Sequence, residues 1–375
     1  MITRRHALAA GAAAVALPSI ASAGSAEALD AALSAAFDAV GPVALAGGLV
    51  TPQGLAWSGA RGVRRADHEA LATADDRWHL GSNTKAMTAA LWGRLVEQGR
   101  ARWAMPLADV FPGLRIDPAW GAATIDDFMS HAAGLADASV MGRPWLMTAR
   151  ADPRSLPEQR RALVEQALKA PPAGTPGLFQ YGNANYVLVG AAIEAITGGS
   201  WEDAMRAEVF APLDLASGGF GAPGAKGAGG DYAWGHRRTG GEAVPMNPAD
   251  PGADNPLALG PAGTAHMSLA DYARFLAVFL TDGGGWLSAE TVRRLTTPSA
   301  GRSYALGWIA LPPQAWAGGP VVAHEGSNTL WRALALVDVR GGRAFIGLSN
   351  DGERGGPACQ ALARGLIAAA SGAGN

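Results

Sequence analysis

The 375-residue chain is poor in most of the side chains that specialised chemistry needs. Its single cysteine, Cys359, excludes an internal disulfide and a cysteine-rich metal site. Cys359 lies in an apolar stretch near the C-terminus with no histidine or lysine beside it, and reads as a small buried residue. Charged residues make up 17% of the chain and the formal net charge is −2, so there is no basic surface to expect for nucleic acid. The seven histidines are scattered and include no His-Glu-x-x-His, which argues against a zinc hydrolase. The absence of a Gly-x-Ser-x-Gly elbow argues against an α/β-hydrolase. No Walker A or dinucleotide fingerprint stands out among the 51 glycines, so no cofactor is expected. Beyond the first residues, no apolar run reaches the roughly 20 residues that a membrane helix takes.

What is present begins with a leader-like segment over residues 1–23. A twin arginine, Arg4-Arg5, precedes the apolar run Ala7 to Leu17 and a small-residue cleavage pattern, Ala21-Ser22-Ala23. The order predicts a signal peptide of the twin-arginine type and a periplasmic or secreted protein starting near Gly24. Ala26 to Val40 reads as a helix, with Leu29, Leu33 and Phe37 on one stripe. Val43–Val50 and Leu55–Gly59 read as strands. Between 81 and about 299 the pattern is mainly helical, with candidates at Asn83–Gln98, Pro157–Lys169, Tyr186–Thr197, Trp201–Val209 and Leu269–Thr281. A Gly- and Pro-rich stretch covers 217–264. Strand pattern returns at Tyr304–Leu311, Val321–His324, Thr329–Val339 and Arg343–Leu348, the last two joined by the turn Arg340-Gly341-Gly342. Pro357 to Ala370 reads as a closing helix. Strands at both ends and helices between them predict an α+β fold whose single sheet is built from both termini. The expected division is a sheet subdomain from about 24–80 and 300–375 beside a helical subdomain of about 81–299.

Three short motifs carry the chemistry. In Gly81-Ser82-Asn83-Thr84-Lys85, Ser82 and Lys85 are three apart at a helix start and share a face. Free N–H groups and the positive dipole end at such a start stabilise an oxyanion. A partly desolvated lysine alongside can accept the serine proton, which arginine cannot. The chain holds only Lys85, Lys169 and Lys226 against 27 arginines. Chance then predicts roughly 0.14 Ser-x-x-Lys pairs, and there is one. Downstream, Tyr181-x-Asn183 places a proton relay and an amide donor and acceptor two apart in a loop. The third motif, His324-Glu325-Gly326-Ser327, ends a strand run. Gly326 would let a substrate lie against the strand edge. Ser327 would offer its N–H as a second oxyanion donor, and His324 a hydrogen bond or a pH-dependent positive charge.

In this order the motifs resemble the serine β-lactamase and penicillin-binding protein superfamily, on the class C-like branch with family VIII esterases and D-aminopeptidases. Softer segments agree with it: Thr124 to Leu135, Phe210 to Leu213, Pro261 to Ser268 and Tyr304 to Trp308. The resemblance implies a β-lactamase/transpeptidase-like fold, an antiparallel sheet flanked by terminal helices beside an all-helical subdomain, with the site in the groove between them. It also implies that Ser82 is acylated, that Lys85 and Tyr181 transfer its proton, and that Asn183 orients substrate and Lys85. Which of Lys85 and Tyr181 is the first base stays open at the level of sequence. One departure matters. Most such enzymes carry Lys-Thr-Gly as the third motif, whose lysine holds a substrate carboxylate; here it is His324-Glu325-Gly326. The expectation is therefore an exported serine hydrolase acting on an ester or small amide, with a small molecule or short peptide as substrate. D,D-peptidase, D-aminopeptidase or weak β-lactamase activity is the alternative on the same fold. A non-catalytic binding protein is the alternative of another class.

Overall fold

The computed structural model describes residues 25–224 and 232–372. The leader expected over residues 1–23, and Lys226, lie outside the described residues. Eleven strands are present among those described: β1 (Ala44–Thr51), β2 (Gly54–Gly62), β3 (Trp78–His79), β4 (Gly219–Phe220), β5 (His236–Thr239), β6 (Glu242–Pro245), β7 (Ala265–Met267), β8 (Ile309–Ala310), β9 (Val321–Ser327), β10 (Arg332–Asp338) and β11 (Arg343–Ser349). The helices are α1 (Ala26–Val40), α2 (Thr84–Glu97), α3 (Leu107–Val110), α4 (Ile125–Met129), α5 (Arg143–Thr148), α6 (Leu156–Leu168), α7 (Asn183–Thr197), α8 (Trp201–Met205), α9 (Gly260–Gly263), α10 (Leu269–Ala277), α11 (Ala289–Thr296) and α12 (Gly355–Gly372).

The principal sheet has the order β2-β1-β11-β10-β9-β8, every neighbour antiparallel, so the first and last of the described strands pair inside it. Strand alternation divides its side chains between two cores. Leu45 and Leu49 of β1 and Phe345 of β11 face α1 and α12, where they meet Leu29, Leu33, Leu362 and Leu366. Each fully buried leucine of this kind contributes about 2 kcal/mol. Ala46, Val50, Ala335 and Ile346 face the other way, against Trp78, Trp92, Trp331 and Phe279. α1 starts at the Ser25 cap, whose side chain accepts from Ala28 N, and stops at Gly41 in the left-handed region.

Several elements differ from the sequence reading. Only Ile309–Ala310 of the Tyr304–Leu311 run is strand, because the chain doubles back at Gly307 (φ +85°), where a side chain would collide with Ala86 of α2. β10 begins at Arg332 rather than Thr329, which lies in the left-handed region (φ +77°). β9 runs on past His324 to Ser327, paired with Arg332. The helix from Trp201 is α-helical only to Met205 and continues as a π-helix over Arg206–Phe210. Asn183 is the first residue of α7, not part of a loop. The middle of the chain also carries two small antiparallel sheets, β3-β7-β4 and β5-β6, the second inside the Gly- and Pro-rich stretch. α10 packs on β1 and β2 of the principal sheet.

Candidate active site

Ser82 sits in a 3-10 turn, Gly81–Asn83, that leads directly into α2. Gly81 adopts φ +51°, and a Cβ there would collide with the backbone of Gly326 and Ser327. A Cβ on Gly326 would in turn strike the carbonyl of Leu80. Two glycines therefore let the nucleophile turn lie directly against β9, bringing the Ser82 and Ser327 backbones together. The turn is pinned on every side. Thr84 Oγ1 donates to Gly81 O (2.7 Å), Ala265 N donates to Thr84 Oγ1 (3.1 Å), and Tyr272 OH of α10 donates to Asn83 Oδ1 (2.8 Å). Ser82 N–H belongs to the first turn, where a helix has no internal acceptor to offer it.

Lys85, the second residue of α2 and three residues beyond Ser82, is fully buried, with Nζ 3.0 Å from Ser82 Oγ. The amine also reaches Asn183 Oδ1 (2.9 Å) at the start of α7 and Ala262 O (2.7 Å) in α9. Desolvation pushes its pKa down to about 7, with Asp137 partly opposing the shift. Tyr181 OH donates to Ser82 Oγ at 2.9 Å. The residue is 44% exposed and forms an open wall of the cleft, yet desolvation pushes its phenol up to about 12, against the opposing effect of the Ser82 hydrogen bond. A phenol is a competent base only where neighbouring cations lower its pKa; burial moves that of Tyr181 the other way, so the phenol holds its proton.

His324 lies on the inner face of β9 and Glu325 on the outer, as strand alternation requires. His324 Nδ1 lies 2.7 Å from the Glu325 carbonyl, which only accepts, so Nδ1 carries the proton. Nε2 then accepts from Tyr304 OH at 2.9 Å. Burial, and secondarily the charge of Lys85, push His324 down to about 3. The imidazole is neutral at pH 7, and the positive charge considered for it from sequence is absent. Glu325 is exposed and accepts from Gln360 Nε2 of α12 (3.0 Å).

The structure thus brings Ser82, Lys85, Tyr181 and Asn183 into one hydrogen-bonded cluster, with Gly326 and Ser327 against its serine turn and His324 one layer behind Tyr181. Sequence reasoning missed three contributors. Ala262 O lies in the Pro261–Ser268 segment, whose likeness to the family was visible but whose carbonyl carries no sequence signal. Tyr304, in the equally visible Tyr304–Trp308 segment, donates to the free Nε2 of His324. His131, at φ +56°, packs against Tyr181 with ring centroids 4.5 Å apart and the rings tilted by 41°; burial keeps it uncharged, well below the usual histidine range.

A cleft of about 440 Å³ opens beside Tyr181 and His324. Its walls are largely apolar (Ile309, Leu311, Ala323, Leu334, Leu336 and Ile367), with Glu325, Gln360 and Arg364 adding polar atoms. A second hollow of about 190 Å³ reaches Ser82 itself, past Gly326 and Ser327. Among the described residues, no cluster of histidine, cysteine or acidic side chains is arranged to hold a metal ion.

The profile of the Beta-lactamase family matches residues 36–370, nearly the whole described chain. The protein belongs to this family of serine hydrolases. It is 33% identical over 158 residues to penicillin-binding protein 4 of Amycolatopsis lactamdurans, covering 42% of this chain and 39% of that protein. The chain spans less than half the length of the curated relatives it matches (39% and 48%). Among solved structures, SurE superposes with a TM-score of 0.74 at 23% identity, over 92% of this chain and 76% of that one. A D-stereospecific amidohydrolase from Streptomyces superposes with a TM-score of 0.67 at 24% identity, over 90% and 98%. At these identities the structural likeness shows the β-lactamase/transpeptidase-like α+β fold and nothing narrower.

Proposed function

We propose that the protein is an exported hydrolase that opens an ester or small amide through an acyl-enzyme on Ser82. One observation carries the reading: a buried, half-neutral amine lies 3.0 Å from the Ser82 hydroxyl. A neutral amine has two N–H bonds and one lone pair. Asn183 Oδ1 and Ala262 O take the two N–H bonds, and the lone pair is left for the Ser82 proton. As Oγ bonds to the substrate carbonyl carbon, that proton passes to Lys85 Nζ. The carbonyl oxygen becomes an oxyanion facing the N–H groups of Ser82 and Ser327. Collapse breaks the bond to the leaving group, which takes the Tyr181 proton; Tyr181 is reprotonated by the Lys85 ammonium. Water then attacks the ester on Ser82, giving up one proton to Lys85 as the acid is released and Ser82 regains its hydrogen.

The substrate side of the reading rests on the neutral His324 and the apolar cleft. A β-lactam or a peptide C-terminus presents a carboxylate, and the third motif here offers it no cation. D,D-peptidase, D-aminopeptidase or weak β-lactamase activity is the second reading, supported by the relatedness to a penicillin-binding protein. Export rests on the twin arginine and cleavage pattern of residues 1–23, and an N-terminus of the secreted protein far from Gly24 would count against it. The test of the whole is intact-mass analysis after exposure to a pooled ester, peptide and β-lactam panel. A mass gain on the wild type that Ser82→Ala abolishes is expected. Full turnover of a short-chain p-nitrophenyl ester by Ser82→Ala would overturn the reading.

A further inference from the structure

Behind the nucleophile turn lies a buried hydrogen-bond network that the reaction as described does not use. His79 Nδ1 accepts from Gly81 N (3.0 Å), which leaves Nε2 protonated and donating to Asp254 Oδ2 (2.9 Å). The His79 side chain is wholly buried and that of Asp254 is 7% exposed. The other carboxylate oxygen, Oδ1, accepts from Asn328 Nδ2 (2.8 Å) and Asn255 N (2.7 Å). Arg150 Nη2 donates to the Asp254 carbonyl (2.8 Å). Asn328 in turn accepts from Leu330 N and Trp331 N (both 3.1 Å) and so shapes the turn that follows Ser327, in which Thr329 is held in the left-handed region.

The two oxygens of Asp254 therefore hold the two backbones that meet at the serine. One runs through His79 to the amide just before Ser82, and the other through Asn328 to the turn just after Ser327. A buried carboxylate is costly unless its hydrogen bonds are made, so a fully satisfied one fixes its partners in place. Oxyanion donors act only within a few tenths of an ångström of their working distance, and small displacements far from the reacting atoms are expensive.

We infer that Asp254 is a positioning residue that sets the separation of the Ser82 and Ser327 N–H groups, acting through His79 on one side and Asn328 on the other. This rests on the acyl-enzyme reading above. It predicts that Asp254 stabilises the tetrahedral state more than the bound substrate. Asn at 254 is isosteric but offers one acceptor oxygen, so it can keep one arm only.

The test compares wild type, Asp254→Asn and His79→Asn with p-nitrophenyl butyrate as substrate and phenylboronic acid, which adds to the serine oxygen as a tetrahedral adduct. For Asp254→Asn, kcat is expected to fall about 10- to 100-fold with KM within about two-fold of wild type, and boronate affinity to fall by a similar factor. His79→Asn keeps an acceptor near the Nδ1 position while cutting the link to Asp254, and a smaller loss of the same pattern is expected. This variant also carries the test if Asp254→Asn does not fold. Wild-type kcat and boronate affinity in the variants would overturn the inference while leaving Ser82 acylation intact. So would a fall in kcat that follows only the folded fraction, with boronate affinity unchanged. A wild-type protein that neither turns over the ester nor binds the boronate would overturn the acyl-enzyme reading as well.

Discussion

The carbonyl of Ala262 accepts a hydrogen bond from Lys85 Nζ at 2.7 Å, and this contact orients the lysine lone pair. With Asn183 Oδ1 as the second acceptor, the amine has one free direction, toward Ser82. Tyr181 approaches the same oxygen as a donor and keeps its proton at neutral pH. On the acyl-enzyme reading proposed above, this geometry makes Lys85 rather than Tyr181 the first base.

The pH profile follows. Lys85 titrates near 7, whereas His324 lies near 3 and Tyr181 near 12. Acylation by the neutral amine is expected to make kcat/KM rise about tenfold per pH unit below pH 7 and level off above it, with no second limb before about pH 10. A stability effect accompanies it. Between about 7 and the ordinary 10.5, Lys85 is protonated in the unfolded chain and neutral in the folded one. The unfolded state binds more protons across this window, so stability rises with pH, by at most about 1.4 kcal/mol per unit. Urea unfolding at pH 7 and 9 should show this rise in wild type and its absence in Lys85→Met.

Substitutions at the cluster separate its roles. Lys85→Arg keeps a cation but cannot accept a proton, and a loss of activity of at least about 10³-fold is expected. Tyr181→Phe leaves the base in place and removes the leaving-group donor; about a 10²-fold loss is expected, smaller for a p-nitrophenolate leaving group that needs no proton. Equal losses on p-nitrophenyl and alkyl esters would contradict the donor role.

Gly326→Ala tests the contact between strand and nucleophile turn. The added methyl would meet Leu80 O and lie 2.8 Å from Asn83 Nδ2, forcing β9 away from Ser82. Activity is expected to drop by about 10²-fold or more. A thermal melt should show a far smaller effect than the kinetics, and an active variant would show that the close approach is dispensable.

The apolar cleft predicts a chain-length preference. Leu311→Trp would narrow the space beside Tyr181. KM for long-chain p-nitrophenyl esters should rise several-fold, with acetate turnover nearly unchanged. A uniform effect on all chain lengths would place the substrate elsewhere.

Much of this was legible in the sequence, for identifiable reasons. The stripe Leu29, Leu33, Phe37 gave the bounds of α1, because a helix on a sheet buries one face. Ser82 and Lys85 stood out because lysine is so scarce elsewhere. That His324 stays neutral far below its ordinary pKa was not legible, since burial and the charge of Lys85 cause it and these come from separate parts of the chain. The Ala262 carbonyl and the Asp254–His79 pair were hidden for a related reason. A backbone acceptor has no side-chain signature, and Asp254 lies inside a Gly- and Pro-rich stretch where pattern gives no periodicity to read.

The meeting of β1 with β11, from Leu45 opposite Ser349 to Val50 opposite Ala344, also bears on how the molecule is made. During synthesis β1 leaves the ribosome with β2 as its only available neighbour, and its other edge waits for the last strand. At ribosomal rates that wait is about 15–60 s, long compared with the formation of local helices. For that interval an apolar strand edge is open to foreign pairing. Yield in the cell will therefore respond to temperature and chaperone supply more than the stability of the finished fold would suggest.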